Sequence, residues 1–117
     1  MAFTQTRLSG PLTLSNIASM NTVPGSASYT VAVGKTTIVK QIMFSNLTSS
    51  TQQVSTWVVP PLATPGDTHM VFHSLDLAAY ETMLINLSLV MVAGDSVWVG
   101  AGNASSVNFT MSGIEES

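Results

Sequence analysis

The chain has 117 residues, of which 45% are hydrophobic and 8% are charged, against about 25% charged residues in a typical soluble domain. With three basic residues and a formal net charge of −3, it has no basic patch to neutralise phosphates or anionic lipids, so we expect neither a nucleic acid nor a membrane as its partner. The length fits one domain, and a surface of neutral hydroxyl and amide groups is typical of a protein covered by partners or of a soluble domain with few charges.

No sequence feature indicates a membrane span or a secretory signal. The longest apolar stretch, Leu87 to Gly94, has the length of a strand and falls short of the roughly 18 residues of a membrane span. Met1 to Gly10 lacks the basic, apolar and small-residue regions of a signal peptide, so we expect synthesis in a cytoplasm. Without cysteine, disulfide bonds and thiolate metal sites are excluded. Four Asn-x-Ser/Thr sequons are interpreted as by-products of composition: Asn46, Asn86, Asn103 and Asn108.

Residues 1–15 are predicted to form an N-terminal arm or edge strand ahead of a β-sandwich domain at residues 16–117. The segment from Phe3 to Ser15 alternates weakly in polarity and contains Pro11, which cannot donate a hydrogen bond to a strand ladder. Residues 16–27 are rich in Asn, Ser, Gly and Pro, which predicts a loop.

The rest of the chain is predicted to form short strands, because Thr, Val and Ser are abundant and charged helix formers are scarce. The predicted strands are Tyr29–Val33, Thr36–Asn46, Gln53–Val59, His69–Leu75, Glu81–Val90, Ser96–Ala101 and Ser106–Gly113. Turn residues recur at intervals of about ten residues. This pattern predicts an all-β, single-domain, jelly-roll-like β-sandwich of seven to eight antiparallel strands with an extended N-terminal arm.

Period-two alternation assigns the two faces of the predicted strands. In the strand Thr36–Asn46, Ile38, Ile42 and Phe44 share one face and Thr37, Val39 and Met43 share the other. In the strand Glu81–Val90, one face carries Met83, Ile85, Leu87 and Leu89 and the other carries Thr82, Asn86 and Ser88. In three other strands, Met70 and Phe72 share a face, Val97 and Val99 lie opposite Trp98, and Val107, Phe109 and Met111 point inward. The strand Gln53–Val59 is partly apolar on both faces, so we expect both of its faces to be covered.

No arrangement of residues predicts catalysis, and we expect the chain not to be an enzyme. Ser74 adjoins His73, but neighbouring residues of a strand point to opposite faces, so they cannot easily form a nucleophile–base pair. The carboxylates that could pair for glycoside hydrolysis fall at predicted turns or strand ends, where they are solvated: Asp67, Asp76, Glu81 and Asp95.

The sequence also predicts no metal or cofactor. His69 and His73 are four residues apart in a predicted strand, which places them roughly 13 Å apart, too far to bind one ion. Trp57 and Trp98 each lie in an apolar strand, which favours a role as core or interface anchors over a role in stacking against a sugar.

Two parts of the chain resemble small virion structural proteins of tailed bacteriophages. The segment YTVAVGKTTIVKQI at 29–42, followed by Asn46-Leu47-Thr48, resembles their "YTVPAGKTTIVKxIxxxNTS" core. The segments AGDSVWV at 93–99 and SVNFTMSGIE at 106–115 resemble their "aGDxixvxas…svnvtisGxE" ending. The resemblance covers most of the chain from about residue 29 onward, carries no catalytic signature, and departs from the family at Ala32, where proline is common.

The resemblance implies a protein that decorates and stabilises a phage capsid, a cement protein made in the host cytoplasm and located in the virion. It implies a homo-oligomer, with a trimer favoured, that binds the major capsid protein or another virion protein. The N-terminal arm would then reach a neighbouring subunit or the shell. The candidate assembly contacts are Phe3, Arg7, Leu8, Leu12, Leu14, Trp57 and Trp98.

Two alternatives remain open: a tail-tip, baseplate or fibre component involved in host recognition, and a non-viral β-sandwich that binds a ligand. The predicted turns at 25–27, 48–50 and 103–105 are small and polar, whereas a receptor-binding loop should expose aromatic residues, which favours the cement protein. The run Gly94 to Val99 also resembles a strand of complement-type and tumour-necrosis-factor-like trimeric heads, which implies trimeric jelly-roll geometry.

Overall fold

A computed structural model describes residues 3–14, 16–103 and 105–116. The described chain forms eight strands and one 3-10 turn at Asp67–His69. The strands are β1 (Phe3–Thr13), β2 (Tyr29–Thr30), β3 (Thr36–Asn46), β4 (Gln52–Val59), β5 (Met70–Leu77), β6 (Thr82–Val92), β7 (Ser96–Ala101) and β8 (Val107–Glu116). The predicted bounds of β3 and β7 are confirmed, whereas β2 ends at Thr30 and β8 continues three residues beyond Gly113.

The strands form two four-stranded antiparallel sheets that pack face to face. Sheet A has the order β1-β8-β3-β6, and sheet B has the order β2-β7-β4-β5. Strand β1 pairs with β8, β2 with β7, β3 with β6 and β4 with β5. The chain therefore resembles one long hairpin rolled into two sheets. The pairings β3–β8 and β4–β7 join these ribbons. This order is that of an eight-stranded jelly roll, which confirms the predicted all-β sandwich.

The main core lies between the two sheets, where the inward residues of β3, β7 and β8 meet. Phe44 and Phe109 are opposite each other in the register of β3 and β8, and their ring centroids lie 5.7 Å apart. The alternation of β8 and of β6 follows the predicted faces. Inward residues of both sheets therefore interdigitate as the period-two pattern requires.

A β-bulge in β3 corrects the predicted faces of that strand. The register against β8 shifts between Val39 and Gln41, which leaves Lys40 as an extra residue. Thr37 and Val39 therefore point into the core before the bulge, and Ile42 and Phe44 point into it after the bulge. The prediction that Ile38 shares a face with Ile42 and Phe44 is wrong, because the extra residue reverses the alternation.

Register irregularities in β5 likewise separate two residues that were predicted to share a face. Phe72 is opposite Thr56 and packs against the main core, whereas Met70 is opposite Trp57 and packs against a second cluster. The register shifts by one residue between these two pairs, so Met70 and Phe72 lie on opposite sides of sheet B.

Of the two alternatives predicted for residues 1–15, an arm or an edge strand, the described part forms the edge strand of sheet A. β1 pairs antiparallel with β8 from Phe3 to Thr13, with irregularities around Gly10-Pro11. Leu14 follows β1, donates its backbone N–H to the carbonyl of Val107, and is 2% exposed in the main core. The described part of residues 1–15 therefore belongs to the sandwich, and deleting it would remove a strand instead of a free arm.

The loop at residues 16–28 covers the outer face of sheet B. Ile17 donates its backbone N–H to the carbonyl of Ala101, and Ser28 donates to that of Val97, so the loop is fixed at both ends to β7. Ile17 packs there with Trp57 and Val59, while the opposite face of β4 joins the main core. This confirms the prediction that both faces of β4 are covered.

Candidate interaction surface

The outer face of sheet A, in contrast to that of sheet B, is open to solvent. Its outward residues come from alternate positions of β8, β3 and β6 and from part of β1. The exposed edge strand β6 carries Leu84, Val90 and Val92 there, with 55%, 63% and 54% of their surface accessible. Large apolar side chains that are exposed together on one strand indicate a surface that binds a partner.

The strand register extends this apolar surface across the sheet. Ile38 lies between Ile114 of β8 and Val90 of β6 in one cross-strand row. Met43 lies beside Leu84 in a second row. Ile38, Ile114 and Met43 are partly exposed. We call the surface formed by Ile38, Met43, Leu84, Val90, Val92 and Ile114 the apolar strip.

Two of the three basic residues of the chain border this strip. Arg7 on β1 and Lys40 at the β3 bulge are both exposed and line one depression of about 540 Å³ together with Ser112 and Gly113. The Nζ of Lys40 donates to the Oγ of Ser88 at 2.9 Å. The bulge is what presents the Lys40 side chain on this face, because it adds a residue between two outward positions.

The electrostatics of the depression favour an anionic group. Within the described ranges the one ion pair joins Lys35 and Glu115, whose charged atoms are 3.5 Å apart. Arg7 and Lys40 therefore have no carboxylate partner among the described residues. A carboxylate from another molecule could bind both cations with little desolvation cost, because both side chains are exposed.

The residues predicted as assembly contacts differ in how much of their side chain is exposed. Leu14 and Trp57 are buried in the subunit's own clusters, at 2% and 0% exposure, so their side chains present no surface to a partner. Arg7 and Leu12 are exposed, and Leu8 and Trp98 are partly buried. The side chain of Phe3 lies outside the part that the structure describes.

Trp98 packs against the second cluster beside Trp57, and its Nε1 donates to the Oγ of Ser96 at 2.8 Å. Trp57 is fully buried and therefore presents no ring face for stacking against a sugar. The sequence interpretation of the two residues as anchors in apolar strands agrees with this packing.

The apolar strip was missed at the level of sequence, although a signal was present. The alternation of β6 assigns Thr82, Asn86 and Ser88 to the solvent side, and Leu84 and Val90 occupy the same register. Apolar residues in the solvent-facing register of a clear amphipathic strand mark a face that is covered by something else. Lys40 could not be placed on this face from the sequence, because its position depends on the bulge.

Both histidines have local hydrogen-bond partners. The Nδ1 of His69 accepts the backbone N–H of Gly66 at 3.2 Å, and the Nε2 of His73 lies 3.1 Å from the Oδ1 of Asn21. Across residues 3–14, 16–103 and 105–116, no group of three or more His, Cys, Asp or Glu side chains is arranged to bind a metal. None of the helices in these ranges is long and apolar enough to cross a membrane.

One end of the sandwich also exposes two large side chains. Leu47, after β3, is 46% exposed, and Tyr80, before β6, is 69% exposed. The backbone N–H of Tyr80 donates to the carbonyl of Thr48, which places the two turns side by side. The turn at 48–50 is polar as predicted, but its neighbour presents an aromatic ring.

Comparisons with known proteins add no family to these observations. No protein-family model matches the chain, and no curated protein matches it at a significant level.

Proposed function

We propose that this protein is a structural component of a virus particle that decorates and stabilises the capsid by binding the shell through the outer face of sheet A. The apolar strip carries the proposal, because a compact domain with few charges leaves these apolar side chains exposed on one face. The centres of protein interfaces are depleted in charge and rich in apolar residues, and the apolar strip itself contains no charged residue. The resemblance of residues 29–115 to virion proteins of tailed phages supports the choice of a virus particle.

In such a contact the apolar strip and the basic residues at its border would contribute in different ways. The apolar strip would supply burial, at about 25 cal/mol for each Å² removed from water. Arg7 and Lys40 at the border would attract acidic side chains of the shell and fix the orientation of docking. Many copies on a closed shell would then add a large total stabilisation even where each contact is weak.

Binding to undecorated capsids tests the proposal. The purified protein is mixed with empty, undecorated capsids of the virus that encodes it, the capsids are pelleted, and bound protein and the temperature of capsid disruption are measured. We expect saturable binding at a fixed ratio to the major shell protein and a raised disruption temperature. Absence of binding at protein concentrations well above that of the shell protein would refute the cement role.

A second candidate function, recognition of a host surface by a tail component, is favoured by the end of the sandwich that carries Leu47 and Tyr80. Tyr80 is exposed on a turn, and tyrosine is enriched among the residues that contribute most to protein binding. This candidate predicts that the protein fractionates with tails and that Tyr80→Ala abolishes binding to host cells. The cement role predicts that Tyr80→Ala leaves capsid binding unchanged.

A further inference from the structure

The edges of the two sheets differ in how well they are protected against pairing with another strand. β1 has Gly10, Pro11 and Arg7 and two register shifts, and β2 has only two residues. β5 has two register shifts and the charged Asp76. Bulges, proline and charge are the features that keep edge strands from joining other chains.

Strand β6 has almost none of these protections. It runs for eleven residues, TMLINLSLVMV, without a charged residue or a proline, and β3 is its one strand partner among the described residues. It has one register shift against β3, but its burial alternates without interruption from Thr82 to Val90. An uncharged edge of this length is a template for strand addition.

The sequence of β6 is complementary to itself when it is reversed. About a centre at Leu87, an antiparallel copy places Ile85 opposite Leu89, Leu84 opposite Val90, and Asn86 opposite Ser88. Met83 then lies opposite Met91, and only the terminal pair, Thr82 with Val92, joins a polar to an apolar side chain. No pair brings like charges together, which would destabilise directly opposed positions.

The inner side of β6 is also incompletely covered. Met83, Ile85, Leu87 and Leu89 pack against the main core but remain partly exposed, because β5 and β6 form no strand pairing and the sandwich is open between them. A strand added to β6 would cover these residues at the point where the molecule's own two sheets do not meet.

We propose that β6 pairs with β6 of a second copy of this chain, antiparallel about a two-fold axis at Leu87. The contact is isologous, and the two sheets A become one eight-stranded sheet. Antiparallel pairing over eleven residues supplies about ten backbone hydrogen bonds. On the outward face Leu84 of each copy then lies opposite Val90 of the other, on either side of the paired Asn86 and Ser88 at the axis. The pairing does not depend on the virion role, and it gives an even number of copies, whereas the resemblance implies a trimer.

Disulfide cross-linking of two single-cysteine variants tests the register directly, because the natural chain has no cysteine. Asn86→Cys and Ser88→Cys both alter exposed, outward side chains, so the core is left intact. In the proposed pairing position 86 of one copy is directly opposite position 88 of the other, about 4.5–5.5 Å away between Cα atoms, within the range of a disulfide. Two copies of position 86 are diagonal, at about 7–8 Å, and bridge poorly.

The two variants are oxidised separately and as an equimolar mixture, and the dimers are measured on non-reducing gels with mass spectrometry of the linked peptides. Val71→Cys, on the exposed edge strand β5, serves as the control for random collision. We expect the mixture to form dimers joined 86 to 88 at least ten times faster than either variant alone or the control. Equal rates in all four samples, or faster linking of each variant to itself, would overturn the proposed pairing.

Discussion

Replacing Asn46 with alanine is expected to destabilise the fold by about 3 kcal/mol, because its buried side chain joins two turns of the sandwich. Its Nδ2 shares two hydrogens among the carbonyls of Ser50, Ala78 and Leu77, at 2.9, 3.0 and 3.1 Å. Its Oδ1 accepts the backbone N–H and the hydroxyl of Thr48 at 2.9 and 2.8 Å. One side chain therefore fixes the turn after β3 against the end of β5.

The magnitude follows from which of these groups water can reach once the amide is gone. Ser50 and Ala78 are exposed, so their carbonyls can be hydrated at little cost. Leu77 is fully buried, and removing the Asn46 donor from its carbonyl costs about 1–3 kcal/mol. The two bonds to Thr48 add about 1 kcal/mol together after hydration.

Urea denaturation and thermal melting measure this loss. For a domain of this size, 3 kcal/mol corresponds to a fall in Tm of about 10 °C. Asn108→Ala is the matched control, because Asn108 is also a sequon asparagine on a strand but makes no side-chain hydrogen bond to any described residue. We expect this control to stay within about 0.5 kcal/mol of the natural protein. A loss no larger for Asn46→Ala than for Asn108→Ala would refute the reasoning.

Three further predictions concern the link between the sheets, the pairing of copies and the covering loop. The hydroxyl of Tyr29 lies 2.8 Å from that of the buried Thr37, so Tyr29→Phe should cost about 1 kcal/mol in urea denaturation. Burial raises the pKa of the Tyr29 hydroxyl above 10.0, so the folded protein binds this proton more tightly than the unfolded chain does. The free energy of unfolding should therefore fall as pH rises through the folded pKa, and this fall should be smaller in Tyr29→Phe. Val90→Lys should convert dimers to monomers in sedimentation. Adding Leu84→Glu should restore the dimers, because residue 84 of one copy lies opposite residue 90 of the other and the two would form ion pairs. A double variant that stays monomeric would count against an axis at Leu87. Gly100→Ala should lower Tm, because a Cβ there would stand 2.6 Å from Ile17, and an unchanged Tm would show that the loop is not packed as described.

The sequence predicts the strands well where local alternation decides the structure. β3 and β7 have the predicted bounds, and the inward residues of β8 are those that period-two alternation assigns. These strands carry strong apolar patterns between clear turn residues, and such signals depend only on neighbours along the chain.

The sequence fails where the structure depends on a distant partner. The bulge at Lys40 exists because β3 must match β8, which lies about seventy residues later in the chain. Likewise, the sequence predicts either an arm or an edge strand for residues 1–15, because alternation cannot indicate the pairing with the last strand that decides between them. The second cluster on sheet B was predicted in part. The apolar residues on both faces of β4 predict that both faces are covered, but they do not identify residues 16–28 as the segment that covers the outer one.

The candidate surface likewise has one part that local alternation indicates and one part that depends on distant strands. Leu84 and Val90 could have been recognised as apolar residues in a solvent-facing register, because β6 alternates clearly. The depression between Arg7 and Lys40 could not, because it joins residues of β1 and β3 across the intervening β8.

Capsid binding by a charge-reversed variant tests the central claim most directly, that the outer face of sheet A docks on the particle. Arg7→Glu/Lys40→Glu and the natural protein are compared for binding to undecorated capsids, with Val71→Glu on sheet B as the control and with matched thermal melting to show that all three are folded. The account predicts that the double variant loses at least tenfold in affinity, a loss of about 1.4 kcal/mol or more, while the control binds as the natural protein does. Equal binding of the double variant and the natural protein would contradict it.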